Sequence, residues 1–205
     1  MLCSPNMAAS KYATHPAFAH VNAILSNLER NTGRKLEPWC ALLKNSGAKT
    51  TKDRLAWLKR EHGLGMATAG AIVAHYEGEP IEYTPDAFVE AMFAGPKAAL
   101  RPIYERLLEI GVGLGSDVTA TPCRTFVPLR RKYAFAQIKP STRTRIDLGL
   151  ALGDTIPKGR LTSTGGYAKG DRITHQIAIT SLDDIDDEVK RWLKAAWQRG
   201  NDTAS

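Results

Sequence analysis

Two groups of residues in this sequence have types and spacings suited to holding a negatively charged ligand. The first is the run Gly63-Leu64-Gly65-Met66-Ala67-Thr68-Ala69-Gly70-Ala71-Ile72-Val73, which follows an amphipathic stretch ending in Lys59 and Arg60. Two glycines let the chain turn tightly, partly through left-handed backbone. The helix that follows opens with amides that have no partner inside it. A phosphate can sit on those amides at the positive end of the helix dipole, with Lys59 and Arg60 one turn upstream. The same glycines would equally serve a plain αα-hairpin by allowing close packing. The second group is charge. Eleven basic residues lie between Thr121 and Gln176: Arg124, Arg130, Arg131, Lys132, Lys139, Arg143, Arg145, Lys158, Arg160, Lys169 and Arg172. Only Asp147, Asp154 and Asp171 oppose them, an excess larger than the +7 of the whole chain.

Other chemistries find no support in the sequence. The histidines at 15, 20, 62, 75 and 175 form neither an HxxxH nor an HExxH pair, and Cys3, Cys40 and Cys123 form no CxxC. The acidic run 183–188 lacks the glycine of a calcium loop and sits where a helix begins, so its acids are expected to complement the dipole. No GxSxG, P-loop or GxGxxG is present, and Asp147 lacks the Glu-x-Lys that would complete a nuclease-like metal site. No catalytic residue, metal or cofactor is therefore expected.

Helices and strands must place these residues. Phe18, Val21, Ile24, Leu25 and Leu28 recur at helical spacing from Pro16 until Asn31-Thr32-Gly33 stops them. Further helices are expected over 36–44, from about 51 to the break at 62–65, and over 67–76. Gly78-Glu79-Pro80 reads as a linker. Thr84-Pro85-Asp86 then combines a cap, a proline at the first helical position and a first-turn acid. A second helix of that region, near Pro102, ends in the glycines of 111–115. From Asp117 the apolar period becomes two, giving strands over 117–121, 125–129, 132–138, 144–150 and 173–180, before a last helix over 184–198.

The pattern predicts α+β architecture: a mobile arm (1–13), a small all-α module (14–77), a linker (78–83), an α+β domain with a mostly antiparallel sheet (84–200) and a tail (201–205). If 132–138 and 144–150 pair across an even loop, Phe135 faces Ile146 and Tyr133 faces Leu148 on the core side. Ala134, Ala136, Arg143, Arg145 and Asp147 then share the other side, where a phosphate backbone could approach. An odd loop would set the aromatics beside the arginines instead. A solvated face that keeps the protein soluble is the plain alternative for this charge. The N-terminus lacks the pattern of a signal peptide and no stretch is long enough to cross a membrane, so a cytoplasmic protein is expected.

Resemblances add to this. The 63–73 run resembles the helix-hairpin-helix motif, with Met66 and Ala67 where Pro-Lys is common. The stretch TGRKLEPWCALLKNSGAKTTKDRLAWLKREHGLGMATAGAIV (32–73) resembles a short bacterial domain of unknown function. RPIYERL, TFVPLRRKYAFAQIKPSTRTRIDLGLAL and DDEVKRWLKAAW resemble a second such family, sometimes labelled a predicted transport protein. That second domain is also similar to the YjbR type of α+β fold, for which the resemblance implies a double-wing DNA-binding role. The leading expectation is a nucleic-acid-binding accessory protein. It would contact phosphates through Lys59, Arg60 and Gly63-Leu64-Gly65, and through Arg130, Arg131, Lys132, Lys139, Arg143 and Arg145. A small-molecule or protein-binding regulatory module, and a hydrolase with an unrecognised site, are the alternatives.

Overall fold

A computed structural model describes residues 11–79 and 83–201. The chain divides into two units: Thr14–Tyr83, and Met1–Ala13 together with Thr84–Ser205.

The first unit is helical: α1 (Pro16–Ser26), α2 (Leu28–Thr32), α3 (Leu36–Asn45), α4 (Thr51–His62) and α5 (Met66–Tyr76). The helix expected to run on from Pro16 is divided at Asn27, whose side-chain amide donates to the Ala23 carbonyl at 2.8 Å alongside its backbone amide at 3.3 Å. Helix α4 opens with a reciprocal capping box between Thr50 and Asp53. Leu28, Trp39, Leu43, Leu58, Leu64, Ala69, Ile72 and Val73 form its core.

Only one of the two glycines between α4 and α5 uses the freedom expected of both. Gly63 ends α4 at φ +65°, and the Leu64 amide donates back to the Leu58 carbonyl while its side chain is buried. Gly65 has φ −64° and ψ 154°, an extended N-cap with no side chain to satisfy the α5 amides.

The second unit contains α6 (Pro85–Met92), a 3₁₀ turn (Gly95–Leu100), α7 (Arg101–Val112), β1 (Thr119–Ala120), β2 (Val127–Arg130), β3 (Ala134–Pro140), β4 (Ile146–Leu150), β5 (Thr162–Ser163), β6 (His175–Ile179) and α8 (Asp187–Gln198). The six strands form one antiparallel sheet in the order β1-β2-β3-β4-β6-β5. The unit is α+β as expected, with β5 and the 3₁₀ turn in addition. The last helix starts three residues later than expected, because Asp186 caps it by accepting the Val189 amide at 3.1 Å.

The expected register is overturned. Ile146 lies opposite Pro140 and Leu148 opposite Ile138, not opposite Phe135 and Tyr133. The loop at 141–145 is odd, so even-numbered residues of both strands face the core. Ile138, Leu148 and Ile177 line up there under α7 and α8, through Leu107 and Leu193. Phe135 still reaches the core, because the β2–β3 pairing slips there: Leu129 pairs with Ala136 and Arg130 with Ala134. Phe135 is the extra residue of a bulge, and both it and Ala136 are buried. The odd loop therefore does not bring Phe135 beside the arginines. Gln137, Gly149 and Gln176 form one row of the opposite face, and Lys139, Asp147 and Ala178 the next.

The described end of the expected arm is docked on this unit. Tyr12 is buried, its hydroxyl lies 2.8 Å from that of Tyr104, and the Ala13 amide donates to the Ala120 carbonyl at 2.9 Å. Burial pushes the Tyr104 phenol pKa well up, and the Tyr12 hydrogen bond adds to it. Residues 1–10 of the arm, 80–82 of the linker and 202–205 of the tail lie outside the described residues.

Two stability effects follow. Tyr12→Phe leaves the Tyr104 hydroxyl buried without its partner and should destabilise the protein by about 1–3 kcal/mol in chemical denaturation. Gly63→Ser forces a side chain into left-handed backbone and should cost about 1–2 kcal/mol. Gly65→Ser supplies a cap and should be neutral or mildly stabilising. Equal melting temperatures for the two serine variants would contradict the assignment of the turn to Gly63.

Candidate anion-binding cleft

In an antiparallel sheet alternate turns fall at alternate ends, and this sorts the basic residues of the second unit. The β1–β2 turn closes with the Cys123 amide donating to the Phe126 carbonyl at 2.9 Å, leaving Arg124 and Thr125 at its tip. The β3–β4 turn closes with the Thr142 amide donating to the Arg145 carbonyl at 3.3 Å, leaving Arg143 and Thr144 at its tip. Both tips are at one end of the sheet. The β2–β3 turn, with Arg131 and Lys132, is at the other, a strand's length or roughly 20 Å away.

The first end carries a cleft of about 500 Å³. The end of α6 and the 3₁₀ turn supply Ala91, Met92, Ala94, Pro96 and Lys97; the sheet turns supply Arg124, Thr125, Lys139, Pro140, Ser141 and Arg143. Among the described residues of the lining, four side chains are cationic, two carry hydroxyls and none is a carboxylate. The Lys97 ammonium donates to the Pro140 carbonyl at 2.5 Å, tying the 3₁₀ turn to the strand end. Asp147 lies across from Lys139, but Arg145 holds it at 2.9 Å. Cations converging on a concave surface focus a positive potential and attract anions.

Of the basic residues singled out in the sequence, the structure brings Lys139 and Arg143 together here, adds Arg124, and adds Lys97, which the sequence did not nominate. Arg145 is turned to Asp147. At the far end Arg131 donates to Asp117 at 2.7 Å and to the Trp197 carbonyl at 3.2 Å, with its guanidinium 4.7 Å from the Trp197 ring. Arg172 donates to the carbonyls of Ala134 and Arg199 and lies over the Tyr133 ring. Lys132 is 5.3 Å from the same ring, and Arg130 pairs across to Ala134 and Thr119. Arg130, Arg131 and Lys132 thus belong to a separate region, where Arg131 fastens the end of α8 (Asp187–Gln198) to the sheet.

Arg160 also has a structural role. It reaches Asp186 at 2.6 Å and Glu188 at 3.1 Å, and donates to the Asp184 carbonyl at 3.1 Å. The acidic run therefore closes a loop 24–28 residues long in sequence. Gly159 permits this approach, since a Cβ there would collide with the Glu188 carboxylate. Hydrogen bonds from the Thr180, Val189 and Arg160 amides hold the Asp184, Asp186 and Glu188 carboxyls, respectively, below their ordinary range, and Arg160 lowers each further. No cluster of three or more potential metal ligands occurs among the described residues.

The other expected site, between α4 and α5, is differently lined. Arg60 is engaged by Glu61 at 2.6 Å. Lys59 borders a groove of about 510 Å³ shared with Thr51, Lys52, Leu55, Ala56 and Met66. Met66, the first residue of α5, is 61% exposed. Among the described residues no helix is long and apolar enough to cross a membrane.

Two family models match the chain in tandem: a domain of unknown function (DUF4287) over residues 21–78 and a domain of unknown function (DUF5655) over residues 89–200. No curated protein and no solved structure matches it.

The acidic run gives a pH test. The three carboxyls have depressed pKa values when folded, so their contribution is complete above the ordinary carboxylate range, about 4. It is lost as pH falls through the folded values. Arg160→Met should lower the melting temperature at neutral pH and lose less than the parent between about pH 5 and 2. Parallel acid-induced losses in both proteins would contradict this.

Proposed function

The chain belongs to the DUF5655 family, with a DUF4287 domain ahead of it, and we propose that it is a non-enzymatic nucleic-acid-binding accessory protein of the cytoplasm. The observation that carries this reading is the cleft: Lys97, Lys139 and Arg143 face one concavity with no carboxylate among the described residues of its lining. Like charges gathered on one concave surface are relieved by an anion, and Arg131, Arg145, Arg160 and Arg172 are each engaged by acids, carbonyls or rings. The resemblance to the YjbR type points the same way, since the two turns with Arg124 and Arg143 at their tips are suited to act as paired wings.

The 63–65 hairpin is not part of this reading, because its arginine is engaged by Glu61 and its opening residue is an exposed methionine. The cleft contacts phosphate and sugar and reads no base edge, so binding is non-specific and strongly salt-dependent.

Lys139→Ala with Arg143→Ala removes two phosphate contacts. It should reduce the slope of log K against log salt by about 1.4 for a single-stranded oligonucleotide, at about 0.7 per contact. Folding should be retained, since exposed cations contribute little net stability. Arg131→Ala should do the reverse, lowering the melting temperature while leaving the salt slope intact. An unchanged slope in the double variant, with folding intact, would leave the cleft's cations as solubility charges.

A further inference from the structure

The helical unit carries a second concave surface, the groove beside α4 and the start of α5, and we propose that it receives an acidic amphipathic helix of a partner protein. Lys52, Leu55, Ala56 and Lys59 stand at i, i+3, i+4 and i+7 of α4, so they form one stripe along a single face of that helix. Met66, at the start of α5, and Thr51 complete the lining of a space of about 510 Å³. Its surface is almost entirely apolar, although two of its residues are lysines. Lysine achieves this by laying its methylene stem along apolar surface while the ammonium stays in water. The groove thus has a carbon floor from Leu55, Ala56 and Met66. Two ammoniums mark its rim, roughly 10 Å apart along the axis of α4.

Floor and rim together select the occupant. A phosphate backbone gains nothing from a carbon floor, and a bilayer surface is too broad to enter a concavity of this size. An amphipathic helix fits both features: apolar anchors at i, i+3, i+4 and i+7 enter the floor, and acids beside that stripe meet the lysines. The acids of α4 leave the rim positive, because Asp53 closes the capping box with Thr50 and Glu61 takes Arg60. Glu77, which receives the Thr51 hydroxyl at 2.9 Å, is paired with Arg54 at 2.6 Å. Among the described residues of the lining there is no carboxylate. Met66 is 61% exposed, and its unbranched thioether chain can adapt to the anchors it meets, the property that makes methionine common on binding surfaces. The lysines act mainly on which helix enters, since rim charges govern specificity more than affinity.

The test is nuclear magnetic resonance on the full chain with isotope-labelled methionine methyl groups. Met66 reports on the groove and Met92 on the cleft. The probes are two synthetic helical peptides of about 18 residues, long enough to hold a helix. Both carry leucines at i, i+3, i+4 and i+7; one flanks them with glutamates and the other with lysines. The glutamate peptide should shift the Met66 methyl saturably, leave that of Met92 in place, and bind about tenfold tighter than the lysine peptide. Lys52→Glu with Lys59→Glu should reverse the preference. Both positions are exposed, so the fold should be retained and the Met92 methyl unchanged. Equal binding of the two peptides, or no shift of Met66 with either, would overturn the proposal. So would a larger Met66 shift from a single-stranded oligonucleotide, or from vesicles of phosphatidylserine and phosphatidylcholine, than from the glutamate peptide. None of these outcomes alters the salt dependence expected of the cleft.

Discussion

The pairing of β3 with β4 decides where the charge of the α+β unit goes. Side chains alternate across a strand, so a one-residue slip would exchange the two faces of every residue involved. With Ile138 opposite Leu148, and Leu148 opposite Ile177, one continuous apolar layer forms under α7 and α8. Lys139 is thereby sent to the opposite face and Arg143 to the turn beyond it. The alternative pairing would bury Lys139 or leave Ile146 and Leu148 in water. Neither can compete with a layer whose members are fully buried, each contributing about 1.5–3 kcal/mol.

Once that register is set, the basic residues divide by what they meet. Those near the end of α8 find carbonyls left over at its last turn: Arg131 takes that of Trp197 and Arg172 that of Arg199. A cation is favoured at the negative end of a helix dipole, so these arginines complete the fold. Arg160 finds the acids at the opposite end of the same helix. Helix α8 is thus held by arginines at both ends, through its carbonyls at one and through its capping acids at the other. Lys97, Lys139 and Arg143 instead border the cleft at the other end of the sheet, where Lys97 takes the Pro140 carbonyl. Positive charge thus collects at that end of the sheet.

The periodicities in the sequence identify nearly all the helices and the four longer strands, because amphipathic repeats reflect burial directly. What they do not carry is parity. Whether 141–145 forms an odd or an even connection depends on which residues close the turn, and Thr142 and Arg145 offer no signature that decides it. The bulge at Phe135 is hidden for a related reason: an apolar residue next to an alanine fits either phase of the alternation. The cleft was legible only in part. Arg124, Lys139 and Arg143 stood in the basic run, but Lys97 comes from a turn 43 residues from its acceptor, and only tertiary structure brings them together. Charge counting also could not separate Arg160 from the rest, since its acids lie in what reads as the start of a helix. The docking of Tyr12 had even less signal, one aromatic residue in a polar segment.

The tie between Lys97 and Pro140 bears on how the cleft can act as a receptor while remaining part of the fold. A lysine ammonium has three donors on a rotatable stem. One is committed to the Pro140 carbonyl, which holds the 3₁₀ turn against the end of β3. That bond fixes the separation between the helical wall of the cleft and its sheet wall without consuming the charge. The remaining donors stay available, so an incoming anion need not break the tie to be bound. The opposite wall is made of turn tips, whose side chains reorient at little cost because no core packing depends on them. Ordering those side chains around a phosphate still costs about 0.5–1.5 kcal/mol each, so a fixed lysine beside adaptable arginines gives part of the site its geometry before the ligand arrives.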